Sequence, residues 1–265
     1  MKPATKTRLD ALLVNRRLAI SCGKAAAMIM AREVSVDANI VDKPGALVHP
    51  DVDISLKQKP RYVSRGGLKL EAALATFPVD PAGRVCADIG SSTGGFTDCL
   101  LQHGAAKVYA IDVGRGVLDY RLRIDSRVES MENANARYLE SLGEPVDLVV
   151  IDVSFISLRL ILPAVSRLID CQADVIALVK PQFEAAKSEV GKGGIVRDVT
   201  VHRRVLHKTA AAAESLRFAV LDLMRSPITG VKGNVEYFMW LRFSQAAEAR
   251  LPLHDKIRAL TAFNR

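Results

Sequence analysis

The sequence holds only four cysteines in 265 residues, Cys22, Cys86, Cys99 and Cys171, and no C-x-x-C pair among them. That scatter excludes a disulfide framework and a cysteine zinc site, and it suits buried thiols in a reducing compartment. No stretch approaches the ~20 uncharged apolar residues that span a bilayer. The opening MKPATKTRLDALLVNRR lacks the apolar core of a signal peptide, so the cytoplasm is the expected location. Acidic side chains are in short supply. Asp and Glu number 29 against 37 Lys and Arg, a net charge of +8. The excess points to a polyanionic partner, nucleic acid before membrane. A merely basic surface is the plain alternative. Internal repeats and low-complexity tracts are absent as well.

What is present is ample material for a core: 49% hydrophobic and 25% charged residues, with a mean hydropathy of +0.13. The length fits one large domain, or a large and a small one. In RLDALLVNRRLA, 8–19, Leu9, Leu12, Leu13 and Arg16 recur at helical spacing. Ser21 can cap a second helix that runs to Arg32. VSVDANI and DVDISLK read as two short strands, with turn formers between them. The basic residues up to position 32 are Lys2, Lys6, Arg8, Arg16, Arg17, Lys24 and Arg32, against Asp10 alone. Such a cationic face suits phosphates. KQKPRYVSRGG, 57–67, reads as a linker. Beyond it LKLEAALATF is helical, and VCADIG, KVYAID, DLVVIDVSF and VIALVKP are short apolar runs separated by helical or loop segments. That alternation predicts an α/β fold with a mostly parallel sheet covered on both faces. NVEYFMWLRF is an aromatic-rich strand that could close the sheet. The expected division is 1–60 as a small domain, 61–64 as linker and 65–265 as the α/β domain.

VCADIGSSTGGF, 85–96, combines a strand, a Gly/Ser turn and a helix start. Gly90, Gly94 and Gly95 allow a sharp turn and close approach of a ligand. Ser92 stands at the second glycine of the dinucleotide fingerprint, and the G-K-[ST] of a phosphate loop is missing. Asp112 ends the next strand, where an acid can take two ribose hydroxyls. A nucleoside cofactor without phosphates fits, S-adenosylmethionine, with Asp88 towards its amino-acid portion. A tight turn with no ligand is the competing account.

Asp152 and Lys180 both end predicted parallel strands, on the edge from which the glycine loop emerges. Lys69 is expected in the first turn of the helix that begins near Ser64, against the helix dipole, so an acid should compensate it. Glu236 opens an apolar strand; its bland account is an edge-strand charge that discourages aggregation. Two lysines and two acids at one rim suit methyl transfer to a hydroxyl. A lysine beside a second lysine gives up its proton more readily and serves as base or orients the nucleophile. A purely structural ion-pair network accounts for the same residues.

RYVSRGGLKLEAAL, DIGSSTGGFTDCLL, YAIDVG, DLVVIDVSFISL, LVKPQFE, GKGGIVRD and GNVEYF resemble, in order and spacing, the TlyA family of bacterial rRNA 2′-O-methyltransferases, also called hemolysin A. The resemblance covers nearly the whole chain. It implies a Rossmann-like class I methyltransferase sheet, with one antiparallel strand, in an FtsJ-like domain behind an S4 RNA-binding module. The family's Lys-Asp-Lys-Glu tetrad falls on Lys69, Asp152, Lys180 and Glu236. The cofactor loop falls on Asp88, Gly90, Ser91, Ser92, Thr93, Gly94, Gly95 and Phe96, with Asp112 at the ribose and Asn135, beside Asn133, at the adenine. Phe155 falls where an aromatic stacks on the target base, with core packing as its alternative. Arg8, Arg16, Arg17, Lys24 and Arg65 are the implied RNA contacts. The implied reaction is methylation of cytidine 2′-OH in 16S and/or 23S rRNA within ribosomal subunits, with no metal. Ile20 and Cys22 replace arginines common in relatives, and Arg32 replaces a turn glycine. GKGGIVRD, 191–198, reads as a lid. Three rivals differ in class. A membrane-active hemolysin lacks a membrane segment here. A base methyltransferase lacks Asp/Asn-Pro-Pro-aromatic after the fourth strand and a rim cysteine. A non-catalytic assembly factor conflicts with the intact tetrad.

Overall fold

The computed structural model describes residues 5–57, 60–243 and 252–262; Lys2 and the ends of the chain lie outside them. The chain forms two compact units, Met1–Pro60 and Arg61–Arg265.

In the first unit, β1 (Thr7–Arg8) leads into α1 (Leu9–Asn15), followed by α2 (Cys22–Met30), β2 (Val34–Val36), β3 (Asn39–Ile40), β4 (Leu47–Val48) and β5 (Ile54–Leu56). β1 pairs with β4, and β3-β2-β5 make a second small sheet. Leu9, Leu13, Ala25, Ile29, Val34 and Val36 form the core. Ser21 caps α2 as expected, accepting from the Lys24 amide at 3.2 Å. VSVDANI is not one strand but a hairpin. Asp37 and Ala38 both have positive φ, 48° and 65°, the turn that matches strand twist.

The second unit contains α3 (Arg65–Thr76), β6 (Val85–Ile89), α4 (Gly95–Gln102), β7 (Lys107–Ile111), α5 (Tyr120–Arg123), β8 (Val128–Met131) and β9 (Leu148–Ile151). These are followed by α6 (Leu158–Leu168), β10 (Ala173–Val179), α7 (Pro181–Glu184), α8 (Val199–Ser215), β11 (Phe218–Arg225), β12 (Tyr237–Phe243) and α9 (Leu253–Leu260). The sheet order is β11-β12-β10-β9-β6-β7-β8. Among the described residues β12 alone runs against its neighbours. Every residue of β10 is buried, because helices cover both faces. Val175, Ala177 and Val179 join one core, Ile176 and Leu178 the other. The alternation is that of side chains on opposite faces of one strand.

Two expectations are corrected. Residues 61–64 do not hang free between the units. Tyr62 is 2% exposed, the Val63 amide donates to Asp98 Oδ2 at 2.8 Å, and Ser64 caps α3. An apolar ring beside a glycine-bearing helix has somewhere to go: a Cβ on Gly67 would sit 2.2 Å from the Tyr62 ring. Nor does the aromatic strand close the sheet. β12 lies one place in from the edge, with β11 outside it, which explains why nearly all its side chains are apolar and buried.

Candidate active site

Strand direction collects the charges. β9 and β10 are parallel neighbours, so their carboxyl ends carry Asp152 and Lys180 to one rim. β12 runs the other way. Its first residue, Tyr237, pairs with Val179, the last of β10, so Glu236 arrives at the same rim beside Lys180. α3 supplies Lys69. It is the fifth residue of that helix, a turn later than expected, where the dipole argument has largely faded. Its partner is found all the same: Lys69 Nζ donates to Glu236 Oε2 at 2.6 Å. Glu236 is 2% exposed and its other oxygen accepts from Gln182 Nε2 at 3.1 Å. The edge-charge account of Glu236 fails, since β12 is paired on both sides. Lys180 Nζ lies 2.6 Å from Asp152 Oδ1 and donates to Ser154 Oγ at 2.8 Å.

All four groups line one cavity of about 940 Å³, with Phe155, Gln182 and Phe183 in its wall. A second cavity of about 260 Å³ is lined by Arg65, Gly90–Thr93, Gly95 and Phe96. Lys69, Asp152, Ser154 and Lys180 border both. Three of the four charges therefore stand at a seam between two spaces, and Glu236 faces the larger one.

The glycine loop is built more tightly than a ligand alone would require. Gly90 has φ 86°, and a Cβ there would lie 2.8 Å from the Asp152 carbonyl oxygen. A Cβ on Gly94 would meet Leu122 at 2.2 Å; one on Gly95 would meet Ser64 Oγ at 2.2 Å and the Gly67 amide nitrogen at 3.0 Å. These glycines admit neighbouring protein, β9 and α3 included, before they admit a ligand. Gly95→Ala is expected to lower stability by roughly 1–3 kcal/mol, measured by chemical denaturation; a neutral result would show that α3 and α4 can separate freely. Ser91 is buried in the turn, Ser92 has φ 48°, and the Thr93 carbonyl accepts from the Asp119 amide at 3.2 Å. Phe96 is mostly buried, 6.1 Å from the Phe238 ring, with one side on the smaller cavity.

Asp112 accepts from the Ser92 amide at 2.8 Å and the Gly114 amide at 2.7 Å, one on each carboxylate oxygen. Each oxygen keeps a further lone pair. Asn135 is exposed and caps the turn Ala136–Tyr138. Its loop runs along Asp112: the Ala134 amide donates to the Asp112 carbonyl at 2.9 Å, and the Asn133 amide to Gly114 at 3.0 Å. Neither Asp112 nor Asn135 is part of the smaller cavity's wall; Asp112 adjoins it through its bond to the Ser92 amide. Asp88 is fully buried. Thr97 donates to its Oδ2 through both amide and hydroxyl, at 2.9 and 2.6 Å, while Oδ1 has no partner. Burial, reinforced by Asp152 and Asp112, pushes its pKa up to about 7.

Phe155 is 90% exposed, which excludes core packing. Its φ of 63° is a strained value for an aromatic residue, and its ring lies 5.0 Å from that of Phe183. Arg65 is exposed at the start of α3. In the first unit Arg8 is bound to Asp10 at 2.6 Å and Arg16 to the Val52 carbonyl at 2.8 Å. Arg17 and Lys24 are exposed. Arg32 takes φ 58°, the conformation a turn glycine would supply, and reaches Asp42 at 3.2 Å. Ile20 and Cys22 are exposed. Among the described residues no group of three His, Cys, Asp or Glu is placed to hold a metal ion, and no helix is long and apolar enough to cross a membrane.

Sequence reasoning missed Ser154, Gln182 and Asn234. Two lie within the quoted runs around Asp152 and Lys180, but polar residues at strand ends carry no period to mark them. Asn234 is buried and pins 191–198: it accepts from the Val196 amide at 3.0 Å and donates to the Gly194 carbonyl at 2.8 Å.

The S4 domain model matches residues 7–54, and the FtsJ-like methyltransferase model matches 62–243. YqxC of Bacillus subtilis is 49% identical over 90% of this chain and 86% of its own. The 16S/23S rRNA (cytidine-2′-O)-methyltransferase TlyA of Mycobacterium tuberculosis is 45% identical, covering 90% and 91%; Hemolysin A of Brachyspira hyodysenteriae is 40% identical, covering 87% and 97%. A solved Streptococcus thermophilus protein superposes with a TM-score of 0.74 at 42% identity, covering 97% and 95%. With a fold, a rim and a sequence likeness that agree over most of its length, the chain belongs to the TlyA/hemolysin A family: it is an FtsJ-like methyltransferase with an S4 domain at its N-terminus.

Proposed function

We propose that this enzyme transfers a methyl group from S-adenosylmethionine to the 2′-hydroxyl of a cytidine in 16S and/or 23S rRNA of ribosomal subunits. The observation that carries this reading is the seam: Lys69, Asp152 and Lys180 stand between a small glycine-walled cavity and a larger one flanked by Phe155, with Glu236 lining the larger. Donor and acceptor would occupy the two sides. The Mycobacterium tuberculosis relative, named for this reaction, supports the same choice of base and hydroxyl.

The donor site fits a cationic nucleoside. Asp88 keeps a buried oxygen without a partner, a place for positive charge nearby. Asp112 retains lone pairs for two ribose hydroxyls, and Asn135, on the adjoining loop, would hold the adenine. When bound, S-adenosylmethionine supplies an electrophilic methyl group on a sulfonium. Lys180 Nζ is the group placed to meet the incoming 2′-hydroxyl, fixed by Asp152 and Ser154. The hydroxyl's proton passes to the Asp152–Lys180 pair as the oxygen attacks. Lys69, held by Glu236 and through it by Gln182, places a second positive charge beside the oxygen as negative charge develops there. Alignment of the oxygen with the methyl group supplies much of the remaining rate. Phe155 stacks on the base. The unit Met1–Pro60 reads folded RNA through shape and phosphates, with Arg17 and Lys24 as its unencumbered cations and Arg8 and Arg16 contributing from their bound positions.

The test is mass spectrometry of rRNA from 30S and 50S subunits incubated with the protein and S-adenosylmethionine. A new 2′-O-methylcytidine is expected in one or both. Its absence from both would overturn the reading. Donor binding carries a pH signature. Asp88 ionises near 7, so its attraction for a cationic ligand is present above that pH and lost as pH falls through it. Affinity for S-adenosylmethionine should therefore drop by up to about tenfold per pH unit below 7, by calorimetry, and Asp88→Asn should flatten the profile. An equally steep profile in that variant assigns the titration elsewhere.

A further inference from the structure

Gln182 sits in α7, two residues past Lys180. Its Nε2 donates to Glu236 Oε1 at 3.1 Å. A carboxylate paired with Lys69 can only accept hydrogen bonds, so the nitrogen end of the amide must be the one that faces it. The orientation of the amide is thereby settled by chemistry. Gln182 Oε1 is left buried with no hydrogen-bond partner. An unpaired buried carbonyl is costly and calls for an explanation. Gln182 lines the larger cavity together with Phe183 and the exposed Phe155, a ring on which a base can stack.

We propose that Gln182 reads the target base, its Oε1 accepting a hydrogen bond from an exocyclic amino group. The inference rests on the reading above that a nucleotide enters the larger cavity. A cytosine presents an N4 amino donor on its pairing edge; a uracil presents a carbonyl acceptor at the same place. Against Gln182 the first is paired, and the second sets two acceptors face to face. A site that hydrogen-bonds its substrate rejects the analogue lacking the donor, because its own polar group is left unpaired. The other end of the same amide holds Glu236, and Glu236 holds Lys69. Base recognition and the geometry of the reacting centre thus share one side chain.

The test uses the full chain and two subunit preparations, one with the mapped target cytidine and one with that position changed to uridine. The wild-type enzyme is expected to methylate the first roughly 10- to 100-fold faster. Gln182→Met, close in volume but without polar atoms, should bring the ratio of the two rates towards one. A role confined to supporting Glu236 would lower both rates by the same factor and leave the ratio unchanged, which overturns the proposal. So does a wild-type enzyme with no preference for the cytidine subunits. Where the variant is too slow to assay, the ratio of dissociation constants for the two preparations, taken without methyl donor, gives the same readout. A wild-type enzyme that methylates neither preparation removes the 2′-O-methylation reading itself, and this inference with it.

Discussion

Lys180→Ala should abolish methyl transfer, by roughly 10²- to 10⁴-fold, while leaving affinity for S-adenosylmethionine within about threefold. The physical reason is position. Lys180 Nζ is bound by Asp152 and Ser154 on the side where the two cavities meet, and the proposed donor site lies elsewhere, at the glycine turn and Asp112. Lys180→Arg is expected to fail as well. A planar guanidinium cannot occupy the point that a compact ammonium fills between two oxygens. Single-turnover rates on subunits, with calorimetry for the donor, check both statements. Methylation at the wild-type rate by the alanine variant would remove Lys180 from the chemistry. A matching loss of donor affinity would instead make it a binding residue.

Glu236→Ala should cost stability as well as activity. The pair it forms with Lys69 is almost fully withdrawn from water, with side-chain exposures of 12% and 3%. Removing the acid leaves an ammonium buried without its counter-charge, a loss of roughly 3–5 kcal/mol and a fall in Tm of about 6–20 °C. Replacing both partners separates the two roles. Lys69→Met combined with Glu236→Leu takes away both charges, so the penalty of an uncompensated ion disappears. That double variant should unfold near the wild-type temperature and still be inactive. Denaturation curves and methylation assays on the three proteins decide the matter. An active double variant would mean that the pair only braces the fold. A Glu236→Ala protein as stable as wild type would mean that Lys69 finds water or another acid.

Much of this site was legible in the residues. The apolar runs ending at Asp152 and Lys180 are parallel strands because they are too short and too uniformly apolar for anything but burial on both faces. Charges just beyond such strands must lie at the ligand-binding rim. The glycine turn was legible too, but its physical cause was not. Crowding by Asp152, Leu122 and Ser64 is long-range contact, and nothing local in DIGSSTGGF records it. The same limit misplaced the linker, since Tyr62 owes its burial to a gap above Gly67 that only folding creates. Phe155 was undecided between core and substrate; its positive φ and exposure are backbone and solvent facts that composition cannot express.

By itself, then, the order of residues determined the element types, the mostly parallel sheet, the basic character and the four charged positions, because periodicity, burial and turn chemistry act over a few neighbours. Only the tertiary structure decided that β12 inserts antiparallel beside β10, which brings Glu236 to Lys69 at the rim that carries Asp152 and Lys180. It alone decided that Gln182 is held by one end and left without a partner at the other. Pairings between residues more than fifty positions apart depend on strand order and direction, and no local preference encodes those.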